Sequence, residues 1–561
     1  MPVVIGVLSL ILRVWAPGPV SQTQDEFNWL VYSDEFRGAL VDRDFSHAAV
    51  RSDYTTLPGV TTMWSGTLGY ASVALAHAVG LAEAPEPITG SVLRASRGFV
   101  ALWCSIALGM LVAVASLLVG RRAAAVAGVL LATEPFLVGH SDVLHTDAMV
   151  TMFGAMSLVA LAAGLRARRP VDPAGDGTDA TATLRGARSG GRISLVVLSG
   201  AFAGLAILTK LNAVPLVVGG GAVIMTIELL AARRTAKGGA GCWRSALGEN
   251  LRFVAMWGGT ALLVMFVLWP ALWVAPLEQL RHVKEALDVL SQAQNVTFFR
   301  HHSTTDPGVT YYPVAMLFRM TPWFLVGATI STFAVLFGFV RGFRRSPLAN
   351  PMIIVAATLL LAAIPYALVA SFTSQKYDRY FLPVLPFLAI ACGVFVSSAV
   401  GRLESHFRST RWVLPVGIVV TALLTVSTLS HAPYAISYVN PLPGGQVRAR
   451  NNILLGWGEG LEVVGAEIRR REGRRCKEAR ILSRPFHHVA FPCGQLVSFA
   501  AVGRDLQNID YYVGYVSSLQ RSRRSDLDVY DAVRGTGDLI KTVEIGGVEY
   551  AELWKIRHHK P

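Results

Sequence analysis

The stretch SRGFVALWCSIALGMLVAVASLLV, residues 96–119, followed at once by Gly120-Arg121-Arg122, decides the fold class. As a helix it covers about 36 Å, against roughly 30 Å of bilayer hydrocarbon, and its one charge, Arg97, stands at the start. It therefore reads as a membrane span with basic residues at both ends. Ten further apolar runs read the same way, at about 3–15, 123–139, 148–165, 193–209, 213–231, 253–271, 322–340, 351–371, 381–400 and 412–430. Eleven spans fit a chain of 561 residues that is 52% hydrophobic and 16% charged, a balance that excludes an ordinary soluble domain.

Orientation follows from the loops, because Lys and Arg near span ends stay in the cytoplasm. Loops after every second span hold nineteen basic residues, among them Arg121, Arg122, six Arg between 166 and 192, Arg341 and Arg402; the opposite loops hold eleven over about twice the length. The N-terminus is thus expected inside and the tail from about 431 outside, in a multi-pass protein of the plasma membrane. The net charge of +14 reflects this bias and anionic lipid head groups, and needs no nucleic acid. The first span, Val3 to Trp15, is short; a signal peptide is its rival reading, although a basic leader is missing.

Two domains are expected: a membrane domain over 1–430 and a small soluble α/β domain over 431–561. The opposite-side loops at about 16–95 and 272–321 are long. Thr56 to Leu81 reads as one or two helices lying at the interface, and Pro276 to Gln294 as an amphipathic surface helix. The loop 166–192 reads as a disordered cytoplasmic linker. In the tail, Glu459 to Arg471 reads as a helix, Tyr511 to Leu519 as a strand, and Ile540 to Ile556 as a hairpin turning at Gly546-Gly547. Cys476 and Cys493 fall on the side where a disulfide is permitted, and the pairing itself stays open.

Three sets of residues can carry chemistry, all at the non-cytoplasmic boundary. The acidic pair Asp25-Glu26 follows the first span; alone it reads equally well as solvated surface. His140, Asp142, His145 and Asp147 fill the short second outer loop, where ionisable groups are costly unless they face a cavity or partners; capping of the next helix by Thr146 or Asp147 is the plain structural reading. Arg94, Arg97, Lys210, Lys376 and Arg379 stand at the same level against the inside bias of the other basic residues, which points to a pocket for an anionic group such as a lipid phosphate. Together they supply a carboxylate to take a hydroxyl proton and cations to steady a departing phosphate. His301 and His302 are weak metal candidates: no cofactor is called for, and a divalent metal stays open.

On these residues the chain resembles the GT-C superfamily of integral-membrane glycosyltransferases. It lies near glycosyltransferase family 39 and its relatives, the protein O-mannosyltransferases and lipid A aminoarabinose transferases. The resemblance rests on Asp25-Glu26, the loop ending in Asp147-Ala148, the turn Leu208-Thr209-Lys210, and KYDRYFLP at 376–383, and spans nearly all of the membrane region. The segment Gly456-Trp457-Gly458-Glu459-Gly460 looks like the tail of bacterial members. The resemblance implies inverting transfer of a hexosyl or pentosyl group from a polyprenyl-phosphate donor to a hydroxyl of a protein, lipid or glycan acceptor. Asp25 would be the base with Glu26 beside it, Asp147 a second-loop site residue, and Lys376 and Arg379 would approach the lipid phosphate. A transporter or flippase of an anionic or sugar-linked lipid is the alternative. It would place its ionisable groups near the midplane rather than at one face.

Overall fold

The computed structural model describes residues 1–15, 21–48, 58–86, 89–166, 189–235, 240–292, 295–345, 351–484, 491, 493–499, 506–521 and 524–557. Seven of the described helices are long and apolar enough to cross a membrane, and three shorter apolar helices cover Pro2–Val14, Pro215–Ala231 and Val413–Leu429. The longest, α4 (Gly90–Thr133), bends at Gly120, whose φ of 78° lies outside the helical region. Two expected spans are therefore arms of one kinked helix, and every expected span is present as an apolar helix. The bend sits beside Arg121-Arg122, where the chain must turn back.

The short α1 (Pro2–Val14) packs along α4 by close backbone approach, with Gly6 and Gly109 meeting one another. Past it, α2 (Gln24–Val41) and α3 (Val60–Ala78) form a layer on α4. The interfacial helix expected at 56–81 is thus a single helix, and it is packed rather than lying free. Its small residues explain this: a Cβ on Gly66 would fall 2.0 Å from Ser33 Oγ, and one on Gly69 would fall 2.7 Å from the Ser96 backbone nitrogen. The two-turn α5 (Pro135–Ser141) and the buried α6 (Asp147–Arg166) follow at the end of the bundle where α4 both begins and ends. The linker expected at 166–192 lies, apart from its ends, outside the described residues. The amphipathic helix expected at Pro276 is found over Pro276–Gln292.

The hairpin of β1 (Thr297–Phe299) and β2 (His302–Thr304) precedes the later spans. The tail adds a five-stranded sheet of order β4-β3-β5-β7-β6, with β3 (Arg480–Ser483) parallel to both β4 (Gln495–Val497) and β5 (Tyr511–Tyr515), and β7 (Val548–Ile556) antiparallel to β5 and β6 (Gly537–Ile545). Alternation along β5 puts Tyr511, Val513 and Tyr515 into one core and Tyr512 into the other. The expected helix and hairpin are present as Leu461–Glu472 and β6–β7. The strand expected over Tyr511–Leu519 instead stops at Tyr515. Residues Val516–Gln520 turn into a short helix because the Gln520 side chain is tied back to Leu455 N and Ile453 O. Cys476 and Cys493 are disulfide-bonded, with Cα atoms 5.4 Å apart.

The tail is stitched to the bundle at one end. Arg319 donates to the carbonyls of Tyr438 and Leu454, Asn440 bonds to the Leu317 and Phe318 carbonyls, and the Gln24 backbone N–H donates to the Trp457 carbonyl. The last of these fixes the start of α2, and with it Asp25, against the tail.

Candidate functional site

A cavity of about 80 Å³ lies between bundle and tail. The bundle contributes Asp25, His140, Arg319, Tyr377 and Arg379 to its wall, and the tail contributes Trp457 and Arg521. Each functional side chain there stands at the end of an element. Asp25 is in the first turn of α2, His140 in the last turn of α5, and Asp147 in the first turn of α6, where its charge suits the helix dipole. Arg379 belongs to the 3₁₀ turn Asp378–Val384, which is kept from α-helical form by Pro383.

Arg379 is the hub. Its guanidinium lies 3.0 Å from Asp147 and 3.3 Å from Asp25, and is sandwiched between the rings of Tyr377 and Trp457 at 4.3 and 4.4 Å. His145 joins the same two carboxylates, 3.4 Å from Asp25 and 3.2 Å from Asp147, with its ring edge-on to Trp457. Lys210, buried behind them, donates to Asp147 Oδ1 at 2.7 Å and lies 4.3 Å from the Tyr380 ring centre. Asp147 is therefore an interior anchor, its side chain 4% exposed, whereas that of Asp25 is 35% exposed and opens onto the cavity. Burial raises the Asp25 carboxyl, but the His145 hydrogen bond and the Arg379 charge outweigh it, so Asp25 is held below the usual carboxylate range. It is ionised at neutral pH. His140 sits deeper, stacked near Phe136, with no hydrogen-bond partner on either ring nitrogen; burial pushes it down to about 3, so it is neutral.

The remaining expected residues lie elsewhere. Glu26 is fully buried and accepts four hydrogen bonds: two from Arg97 at 2.7 and 2.6 Å, one from the Leu144 backbone and one from that of Thr23. Arg97 is thereby held by Glu26 and by the Ser21 carbonyl, away from the cavity of Asp25. Asp142 faces a second cavity of about 50 Å³ beside Arg97, lined further by Leu12, Thr428 and Tyr434. Arg94 is exposed on the first turn of α4. Lys376 is buried but spends its ammonium on Asp306 and the Thr373 carbonyl. His301 and His302 are exposed in the β1–β2 turn, and among the described residues no group of three or more His, Cys, Asp or Glu is placed to hold a metal. Asp25 and Asp147 are already matched by cations.

Sequence reasoning passed over Trp457, Arg521 and the pair Arg319–Asp378, joined at 2.7 Å. The one local sign of Trp457 was its setting among Gly456, Gly458 and Gly460, all with positive φ, which bend the chain so that the Trp457 ring meets Arg379.

Among solved structures, the chain is similar to ArnT from Cupriavidus metallidurans in the apo state, with a TM-score of 0.50 and 14% identity over 98% of this chain and 97% of that one. It has the GT-C fold. ArnT bound to undecaprenyl phosphate matches at a TM-score of 0.48 with 18% identity over 98% and 96% of the two chains. The apo oligosaccharyltransferase of Archaeoglobus fulgidus matches at 0.47 with 13% identity over 92% and 69%. No protein-family profile and no curated protein matches the sequence. The fold here places the start of α2, the end of α5, the turn carrying Arg379 and the tail around one polar cavity, so the charged sets noted in the sequence partly converge.

Proposed function

We propose that the chain is a glycosyltransferase that moves a sugar from a polyprenyl-phosphate donor to a hydroxyl acceptor, with inversion, on the outer face of the plasma membrane. The carrying observation is the contrast of burial within one ion cluster. Among the three carboxylates on the cavity wall, Asp25 has its side chain 35% exposed, while Asp378 is 16% exposed and paired with Arg319, and Glu459 is buried and accepts from Trp457 N and the Tyr515 hydroxyl. A reacting hydroxyl can reach Asp25.

In the reaction the acceptor oxygen forms a bond to the anomeric carbon and its proton passes to Asp25. The bond from that carbon to the phosphate oxygen breaks, and its electron pair leaves with the polyprenyl phosphate. Arg379 steadies the charge that develops there, and Lys210 adds its field from behind. A phosphate drawing on Arg379 loosens the contact of Arg379 with Asp25 and so raises the proton affinity of Asp25 when it is needed. His145 keeps the two carboxylates apart in orientation, and the fully buried Glu26 holds the start of α2 rather than reacting. The soluble tail, expected to be extracytoplasmic, closes the cavity from its own side.

Purified protein given radiolabelled polyprenyl-phosphate sugar and envelope acceptor fractions is expected to transfer label, and Asp25→Asn to stop transfer while the protein still folds with a thermal transition near that of wild type. Full activity in that variant would overturn Asp25 as the base.

A further inference from the structure

We propose that Arg521, carried by the C-terminal domain, is a second phosphate-binding arm of the cavity and engages the phosphate of the lipid-linked donor opposite Arg379. The inference rests on the glycosyltransferase reading above and adds to it a binding role for the tail.

Placement comes first. Arg521 follows the short helix Val516–Gln520, whose last residue is clamped three ways: Gln520 Oε1 accepts from Leu455 N at 2.8 Å, and its Nε2 donates to the carbonyls of Arg450 and Ile453 at 2.7 and 3.0 Å. The Gln520 carbonyl in turn accepts from Ser303 Oγ of the β1–β2 hairpin. This brace sets Arg521 into the wall that also holds Asp25, Tyr377, Arg379 and Trp457. An arginine fixed so firmly at its base loses little freedom when it binds.

Charge comes second. Every other cation of this region has a carboxylate: Arg319 has Asp378 at 2.7 Å, Lys210 has Asp147 at 2.7 Å, and Arg379 has Asp147 and Asp25 at 3.0 and 3.3 Å. Arg521 makes no ion pair among the described residues; its Nε donates to the Ser517 carbonyl at 3.2 Å. The third wall carboxylate, Glu459, accepts from Trp457 N and the Tyr515 hydroxyl instead, so Arg521 is the one arginine of the wall without an ion pair among the described residues. Burial pulls Arg521 below the ordinary arginine value, against Tyr377 and the Asp25 charge, with a smaller contribution from Arg379 in the same direction as burial, so its charge is only partly compensated by the protein. An oxyanion beside Arg521 supplies the missing counter-charge.

A third, independent observation points to a ligand in the same cavity. His140 is 4% exposed, lines the wall, and has neither ring nitrogen hydrogen-bonded. A buried imidazole without partners is expensive unless a bound group supplies one, and a neutral ring has one N–H to give to a phosphate oxygen or sugar hydroxyl.

The test measures affinity of the full-length protein in lipid nanodiscs for undecaprenyl monophosphate, with undecaprenol as the uncharged probe. Arg521→Gln is expected to weaken the phosphate probe by about tenfold to a hundredfold and to leave undecaprenol unchanged, with Arg521→Lys between wild type and Arg521→Gln. Equal affinity of wild type and Arg521→Gln for the phosphate probe would overturn the proposal. Equal weakening toward both probes would overturn it too, since Arg521 would then hold the fold rather than the phosphate. Arg379→Gln separates the two readings. If it loses phosphate affinity while Arg521→Gln does not, this inference fails and the glycosyltransferase reading stands; if neither loses it, both fail.

Discussion

Two charged clusters meet at the first turn of α2, and consecutive residues belong to different ones. Asp25 joins Arg379, His145 and the cavity, with its side chain 35% exposed; Glu26 joins Arg97 and two backbone N–H groups, with its side chain fully buried. A helix sends neighbouring side chains about 100° apart, which is enough here to put one carboxylate on a reactive wall and the other into the frame. The Asp25 cluster leaves an edge open, on a wall that also carries Arg521 without an ion pair among the described residues. In the Glu26 cluster the carboxylate itself has no exposed edge. A polar group kept for structure has its bonds completed by the protein, and one kept for chemistry has them shared with what will bind.

The largest expected effect that sharpens this contrast is on activity. Asp25→Asn keeps size and most hydrogen bonds but removes the proton acceptor, so label transfer is expected to fall by about a hundredfold to ten-thousandfold. Its midpoint of thermal unfolding in detergent is expected to stay near wild type. Glu26→Gln is the mirror case. It leaves the partly buried Arg97 without its counter-charge, which costs about 3–5 kcal/mol, so poor folding yield and a lowered transition are expected ahead of any kinetic change. If Glu26→Gln were as stable as wild type and as inactive as Asp25→Asn, the division between the clusters would be broken.

The fold was legible because its signal is local and long. A run such as 96–119 has no reading in water, and the basic bias of alternate loops is a count along the chain. Part of the site was legible for the same reason: His145, Asp147, Lys210 and Arg379 are ionisable residues at span ends, where only a partner or a cavity justifies them. Their partition was not legible. Arg97 stands at a span end with the same charge as Arg379, and only the ion pair between the start of α2 and α4 shows that Glu26 consumes it. Trp457 and Arg521 come from the tail, more than four hundred residues from Asp25, and no local pattern announces a contact over that separation.

A smaller effect tests the seam through which the tail supports the cavity. Gly139, one residue before His140, lies against the 435–437 segment, and a Cβ there would come 2.2 Å from the Ile436 backbone nitrogen. Backbone cannot yield as a side-chain tip does. Gly139→Ala is therefore expected to cost about 1–3 kcal/mol and to lower transfer along with stability, because His140 and the tail shift together. A thermal scan alongside the transfer assay checks both at once. Loss of stability with transfer untouched would show that the seam is only structural.

The smallest effect concerns the second cavity and depends on pH. Burial, with Glu26 adding to it, lifts Asp142 to about 7 even though Arg97 pulls the other way. The folded state thus holds a proton that the unfolded state gives up near the ordinary carboxylate value, about 3.9. As pH rises from about 4 to about 7 the wild-type protein loses stability through this group, and above about 7 the loss is complete and constant. An asparagine side chain does not titrate, so Asp142→Asn is expected to match wild type near pH 4 and to exceed it by about 2 °C at pH 8. The difference should grow across that window and in that direction only, because the shift is upward. Asp25, shifted downward, carries the opposite sign: its contribution is present above its ordinary value and is lost on acidification. A stability gain for Asp142→Asn confined to acid pH would mean that Asp142 is ionised beside Arg97 after all, and the two clusters would then differ in exposure alone.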